Sequence, residues 1–281
     1  MSTLLEPFEF AFFRNGLYVS VLAGALCGLI GVYVVLRGMS YIGHGMSHAI
    51  FGGAIVSFVT KINFYLGAGL WGFVSAVMIN RVARRRIIGA DAAIGVITTA
   101  SFAVGVALIS TQRKFNRNFE AALFGNVLGV TFLDVLVIAG VALAAAVIVF
   151  ASYRRLLFTT FDPEVAEASG VNTGRIDALF ALILASTIVA TMNILGVTLI
   201  AAALVVPPVI ARMLTDSFSR MLWISVAVGA VSGFVGMYLS WFLDIASGAS
   251  IVLVSSGLFL IVYVVNGARG FRRLRGADAH I

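Results

Sequence analysis

The amino-acid sequence predicts an all-α polytopic membrane protein of eight or nine transmembrane helices, on three observations. The 281 residues are 61% hydrophobic and only 11% charged, where soluble domains carry about 25% charged residues. The mean hydropathy is +1.07. The apolar residues also gather into runs of about 20, the length that crosses a bilayer core, with arginines at the run ends. A water-soluble chain of this composition would expose large apolar patches. An ordinary cytosolic enzyme, a disordered chain and a secreted disulfide scaffold are therefore excluded. Cys27 is the single cysteine, so no intrachain disulfide can form. The chain reads as one transmembrane domain over 1–281.

The runs place helices near 16–36, 42–60, 63–80, 90–110, 131–151, 175–192, 195–214, 220–243 and 249–266. Only Lys61, Ile62 and Asn63 divide the second from the third, so a re-entrant member of that pair lowers the count to eight. The net charge of +7 invites a nucleic-acid reading, which the distribution rejects. No basic stripe interleaved with aromatics lies on a soluble face, as a nucleic-acid surface needs. With nine spans and a cytoplasmic C-terminus, fourteen basic residues fall inside, among them Arg37, the Arg81/Arg84/Arg85/Arg86 cluster, Arg154, Arg155, Arg175, Arg212 and Arg220. Five fall outside: Arg14, Lys61, Arg113, Lys114 and Arg117. Excess Lys and Arg on the cytoplasmic side is the rule that orients membrane helices. The stretch 267–281, with Arg269, Arg272, Arg273 and Arg275, is then a basic cytoplasmic tail, and the partner along the spans is the lipid bilayer.

Between the fifth and sixth runs lies a cytoplasmic loop, 152–175, containing Phe161, Asp162, Pro163, Glu164, Val165, Ala166, Glu167, Ala168, Ser169 and Gly170. Asp162 suits a helix N-cap and Pro163 the first helical position. Glu164 complements the positive end of the dipole, and Gly170 is a natural stop. These predict a two-turn helix outside the membrane, either an interfacial connector or a docking element. Thr131 with Asp134 three residues later resembles a capping box, and Asp91 and Asp244 also fall at helix ends.

Ionisable groups at membrane depth are functional candidates by default. With the helix-end charges set aside, His44 and His48 remain, in Tyr41-Ile42-Gly43-His44-Gly45-Met46-Ser47-His48-Ala49. A spacing of four stacks both imidazoles on one helix face. Imidazole suits zinc, copper, iron and nickel, and two such helices at a two-fold axis would bring four imidazoles together. The plain alternative is an interfacial His44 and a His48 bonded to neighbouring backbone. No Glu stands beside either histidine, as the H-E-x-x-H helix of a metalloprotease requires. Histidines four apart on one helix also cannot take opposite axial positions on a haem. Pro207 and Pro208 fall inside the seventh run and free carbonyls there, for a packing kink or a gate. Asn126 near an outer end is a further candidate for the pathway.

The stretch Arg37-Gly38-Met39-Ser40-Tyr41-Ile42-Gly43-His44-Gly45-Met46-Ser47-His48-Ala49 resembles the signature of the zinc and manganese permeases of ATP-binding-cassette importers, roughly R-x-M-S-x-x-G-D-x-x-S/A-H-A. Phe161-Asp162-Pro163-Glu164-Val165-Ala166 with Gly170 resembles the family segment that docks on the ATPase. Leu123 through Thr131, Gly196 through Pro207, and Ser247 through Leu253 match further blocks in the family's order. The resemblance implies an ABC importer permease of the metal/cobalamin-importer type in a bacterial inner or plasma membrane. It implies a homodimer served by a cytosolic ATP-binding-cassette ATPase and an extracytoplasmic metal-binding protein. It places metal contacts at His44 and His48, with ATPase coupling through Phe161, Asp162, Pro163, Glu164, Val165, Ala166 and Gly170. His44 stands where relatives usually carry Asp, and Asn126 where they often carry Asp.

The expected function is ATP-driven import of a divalent transition-metal ion (zinc, manganese or iron), with that ion as substrate and no permanently bound cofactor. The chain has no G-x-x-x-x-G-K-[ST] loop, so ATP hydrolysis falls to a separate partner and the chain is not itself an enzyme. The alternative is an ion-coupled secondary metal transporter working without an ATPase. No midspan carboxylate is available to it as a proton or sodium relay.

Overall fold

The structure, a computed structural model, describes residues 5–84, 88–111, 125 and 129–277. Asn126, with Arg85, Arg86, Arg113, Lys114, Arg117 and His280, lies outside the described residues. Among the described residues, a 3₁₀ turn at Glu6–Glu9 precedes eleven helices: α1 Ala11–Leu36, α2 Ile42–Thr60, α3 Phe64–Arg84, α4 Ala90–Ser110, α5 Phe132–Ala151, α6 Tyr153–Phe161, α7 Pro163–Ala168, α8 Thr173–Leu195, α9 Ile200–Leu214, α10 Phe218–Leu243 and α11 Ser247–Ala277.

Seven helices (α1, α2, α4, α5, α8, α10 and α11) are long and apolar enough to cross a membrane. α3 has the length but carries Asn80 and Arg81 near its end. α9 departs from the expected span over 195–214. The helix starts only at Ile200 and runs 15 residues, about 22 Å and short of a bilayer core. The reason is Gly196, whose φ of +75° breaks the chain at the end of α8. α11 continues past the spanning window through Ala277. The loop between α5 and α8 is itself two helices, α6 and α7.

The bundle is built around α1 and α2. In each, 72% of the spanning window is buried within the chain, against 22% in α4, α5 and α11, which therefore lie at the periphery. α1 packs most extensively on α10, and α2 packs on α4 and α3. The α1–α10 contact rests on facing small residues. A Cβ on Gly24 would overlap the Gly229 carbonyl, and one on Gly233 would overlap that of Ser20. Ser225 Oγ donates to the Gly28 carbonyl at 2.7 Å. In lipid no hydrophobic force draws apolar helices together, so close backbone approach and interhelical hydrogen bonds supply the association.

The helix ends close as the sequence chemistry requires. Thr131 and Asp134 form a reciprocal capping box at the start of α5, and the Tyr65 hydroxyl of α3 donates to Asp134 Oδ1. At the other end of the bundle, Gly38 follows α1 with φ +67°. Its N–H donates to Val35 O and that of Met39 to Val34 O, at 3.1 and 3.0 Å. This is a Schellman motif, and it turns the chain sharply back into α2.

Candidate functional site

His44 lies in the first turn of α2 and His48 in the second, both half-buried. Their ring centroids are 4.7 Å apart with planes at 79°. Two imidazoles sharing one ion at about 2.0–2.1 Å from each nitrogen adopt a separation of this order. His48 also meets the Phe102 ring of α4 edge-on at 5.2 Å, and His44 lies 5.5 Å from Tyr41. The Nδ1 of His48 is buried without a hydrogen-bond partner. Ser47 Oγ donates back to the His44 carbonyl at 2.8 Å. The glycines that flank the pair let neighbours close in: Cβ atoms on Gly45 and Gly52 would strike Ile94 and the Ser101 carbonyl of α4. Among the described residues no group of three or more His, Cys, Asp or Glu gathers to hold an ion. The described residues thus bring two imidazoles together without a third such group beside them.

The Schellman turn sets the level of the histidine pair along the bundle. Since Met39 is bonded back to Val34, α2 begins alongside the last turns of α1 rather than beyond them. Gly43 packs on the Leu204 side chain of α9, and Gly31 of α1 packs on the Leu204 carbonyl. His44 is therefore level with Gly31, about two turns inward from Arg37. His48 lies about 6 Å deeper. On α10, which pairs with α1 in antiparallel register, Gly28 meets Ser225, so the level of His44 is close to that of the exposed Trp223. Trp223 and Trp241 lie about 27 Å apart along α10, near the thickness of a bilayer core, and Trp is enriched at the two interfaces. The pair thus lies near the level of Trp223, with α2 unbroken from Ile42 to Thr60.

α7 is a compact, doubly capped element. Asp162 accepts from the Val165 N–H at 2.9 Å and Pro163 opens the helix. A second Schellman motif closes it, with Gly170 at φ +82° and bonds from Gly170 N to Glu167 O and from Val171 N to Ala166 O, both 3.0 Å. Ala166 is wholly buried, while Phe161, Asp162, Pro163, Glu164, Val165 and Gly170 are exposed. The helix is anchored on one side and presents an apolar and acidic face on the other. A cavity of about 550 Å³ lies beneath it, bordered by Arg37, Ile42, Asn80, Glu164, Glu167 and Asp177 among others.

Pro207 and Pro208 are buried in α9, and Pro208 Cγ would lie 3.1 Å from a Cβ on Gly31 of α1. The structure does not bring them to the histidines. Neither proline can donate, so the Ala203 and Leu204 carbonyls lose their helical partners, and the close approach of Gly31 occupies the second of these. The cluster missed from sequence is the one at Arg37. Its Nη1 donates to Asp177 Oδ1 of α8 at 2.8 Å and its Nε to Thr160 Oγ1 of α6 at 3.2 Å. The guanidinium also lies 4.4 Å over the Phe180 ring. Asp177 passes as one more helix-end charge, yet it falls inside the sixth predicted run, and an acid there calls for a partner.

The family model described as the ABC 3 transport family matches residues 9–266, and the chain belongs to that family. It is 36% identical over 262 residues to the manganese transport system membrane protein MntC of Halalkalibacterium halodurans, covering 93% of this chain and 90% of that protein. It is 30% identical over 266 residues to a probable iron transport system membrane protein of Haemophilus influenzae, covering 95% and 98%. Its fold matches a chain of PsaBC from Streptococcus pneumoniae, solved in complex with Fab, with a TM-score of 0.84, 30% identity and coverage of 93% and 95%. The chain is a multi-pass membrane permease of the ABC-transporter class, a transport component rather than an enzyme.

Proposed function

We propose that this chain is the membrane subunit of an ATP-driven importer of divalent transition-metal ions, working as a homodimer with the ion path at or near the dimer interface. The observation that carries it is the His44–His48 pair, two imidazoles at 4.7 Å on one face of a mostly buried helix, with a buried nitrogen of His48 unpartnered. Two donors make half of a tetrahedral shell. A second copy related by a two-fold axis would supply the other half. An incomplete or weak site suits a carrier, since tight closure would trap the cargo.

The relatives named for manganese and iron transport support a transition-metal substrate. Histidine in the place of the family's usual Asp removes a negative charge and a hard oxygen, which moves ligand preference toward zinc and iron and away from manganese. Phe161, Asp162, Pro163, Glu164, Val165 and Gly170 form the surface on which a cytosolic ATPase docks, and the buried Ala166 anchors that helix from beneath. An extracytoplasmic metal-binding protein delivers the ion at the opposite face, with Asn126, Pro207 and Pro208 along or beside the path. The test is metal uptake in cells that carry the permease with an active or a hydrolysis-dead ATPase. Uptake confined to the active pair supports the reading; equal uptake with the dead partner overturns it in favour of secondary transport.

A further inference from the structure

We propose that Arg37 is a positioning residue that carries displacement of the docking helix to the histidine pair. This rests on the reading of α7 as the ATPase contact. Arg37 is the C-cap of α1, and its side chain is only 10% exposed and that of Asp177 only 14%. Three contacts fix it: Asp177 at 2.8 Å and Phe180 at 4.4 Å on α8, and Thr160 at 3.2 Å in the last turn of α6. Thr160 stands just ahead of Asp162, the cap of α7, with Phe161 between them, and its hydroxyl donates to Leu156 O at 2.6 Å, so it moves with α6. A planar guanidinium holds several partners in fixed directions, which a lysine would not do.

The other side of Arg37 is equally constrained. The bonds from Gly38 and Met39 to Val35 and Val34, and from Ile42 N to Met39 O at 2.8 Å, leave the turn between α1 and α2 no slack. A shift imposed on Arg37 therefore reaches the first turn of α2, where His44 sits. α7 packs chiefly on α6 and α8. Both of these elements are the ones Arg37 grips. Energetic coupling of this kind travels through packed side chains and hydrogen-bond networks that have two arrangements, and the cavity beneath α7 leaves room for the second one.

The experiment uses the permease reconstituted with its ATPase and binding protein in vesicles, and reads metal imported per ATP hydrolysed at matched amounts of assembled complex. Variants are Thr160→Val, Asp177→Asn, Arg37→Gln and the exchange pair Arg37→Asp with Asp177→Arg. ATP hydrolysis is expected to persist while import per ATP falls about tenfold in Arg37→Gln and Asp177→Asn, within the range usual for coupling between sites. Thr160→Val should fall severalfold, and the exchange pair should recover part of the loss. Thr160→Val keeps shape and branching, so it decides the matter if the charge variants fail to assemble. An unchanged ratio in Thr160→Val and Asp177→Asn, or import and hydrolysis falling in step, overturns the role of Arg37. Import that persists with a hydrolysis-dead ATPase overturns the underlying reading instead.

Discussion

Gly24 of α1 and Gly229 of α10 meet backbone to backbone, so that a methyl group on either would overlap the other's carbonyl. The same face carries Gly28 against Ser225 and Gly233 against Ser20. Gly24→Ala or Gly229→Ala must push the two helices apart. Overpacking of this kind costs about 1–3 kcal/mol. Each variant is expected to lower the melting temperature of the detergent-purified protein. An unchanged melting temperature would show that α1 and α10 stand further apart than this packing requires.

α7 depends on its two caps. Asp162→Ala removes the acceptor for Val165 N–H and costs about 1 kcal/mol. Gly170→Ala places a Cβ at φ +82° and costs about 1–2 kcal/mol. In an element of only six residues either loss should fray the helix. Both variants are expected to weaken co-purification of the ATPase while leaving the amount of membrane-inserted permease unchanged. Undiminished co-purification would place the ATPase contact elsewhere.

Thr131→Val deletes one half of the capping box that opens α5, in which Thr131 Oγ1 accepts from the Asp134 N–H at 3.4 Å, together with the bond the hydroxyl donates to Asp134 Oδ2 at 2.7 Å. The expected penalty is about 1 kcal/mol. Faster amide hydrogen exchange confined to the first turn of α5 is the matching readout, and uniform exchange across the bundle would contradict it.

His44→Asp replaces the imidazole with a hard, charged oxygen donor. Transport by this variant should shift toward manganese relative to zinc. Competition between the two ions in uptake measures the ratio directly, and a ratio equal to that of wild type would separate His44 from ion selection.

Much of this architecture is legible in the sequence because its causes are local. Apolar runs of bilayer length place α2, α4 and α5 to within a residue and α10 to within two, while α1 starts five residues ahead of its run. Asp162, Pro163 and Gly170 mark α7 through capping chemistry that acts within four residues. The four-residue spacing of His44 and His48 is enough by itself to put them on one helix face. What escapes is set by distance along the chain. Arg37 and Asp177 are joined across 140 positions, and no periodicity announces such a pair. α9 reads as a full span because its composition is apolar, although Gly196 delays its start. The level of His44 depends on the fold-back at Gly38, fixed by hydrogen bonds to Val34 and Val35 that no periodicity announces.

The measurement that tests the central claim most directly is cellular metal content by elemental mass spectrometry, with the permease co-expressed beside its ATPase and binding protein. Wild type is compared with His44→Ala and His48→Ala at matched membrane expression. One divalent metal is expected to accumulate in wild type and to fall toward the empty-vector level in both variants. Accumulation that requires the ATPase but ignores both histidines would contradict the assignment of the ion site to α2.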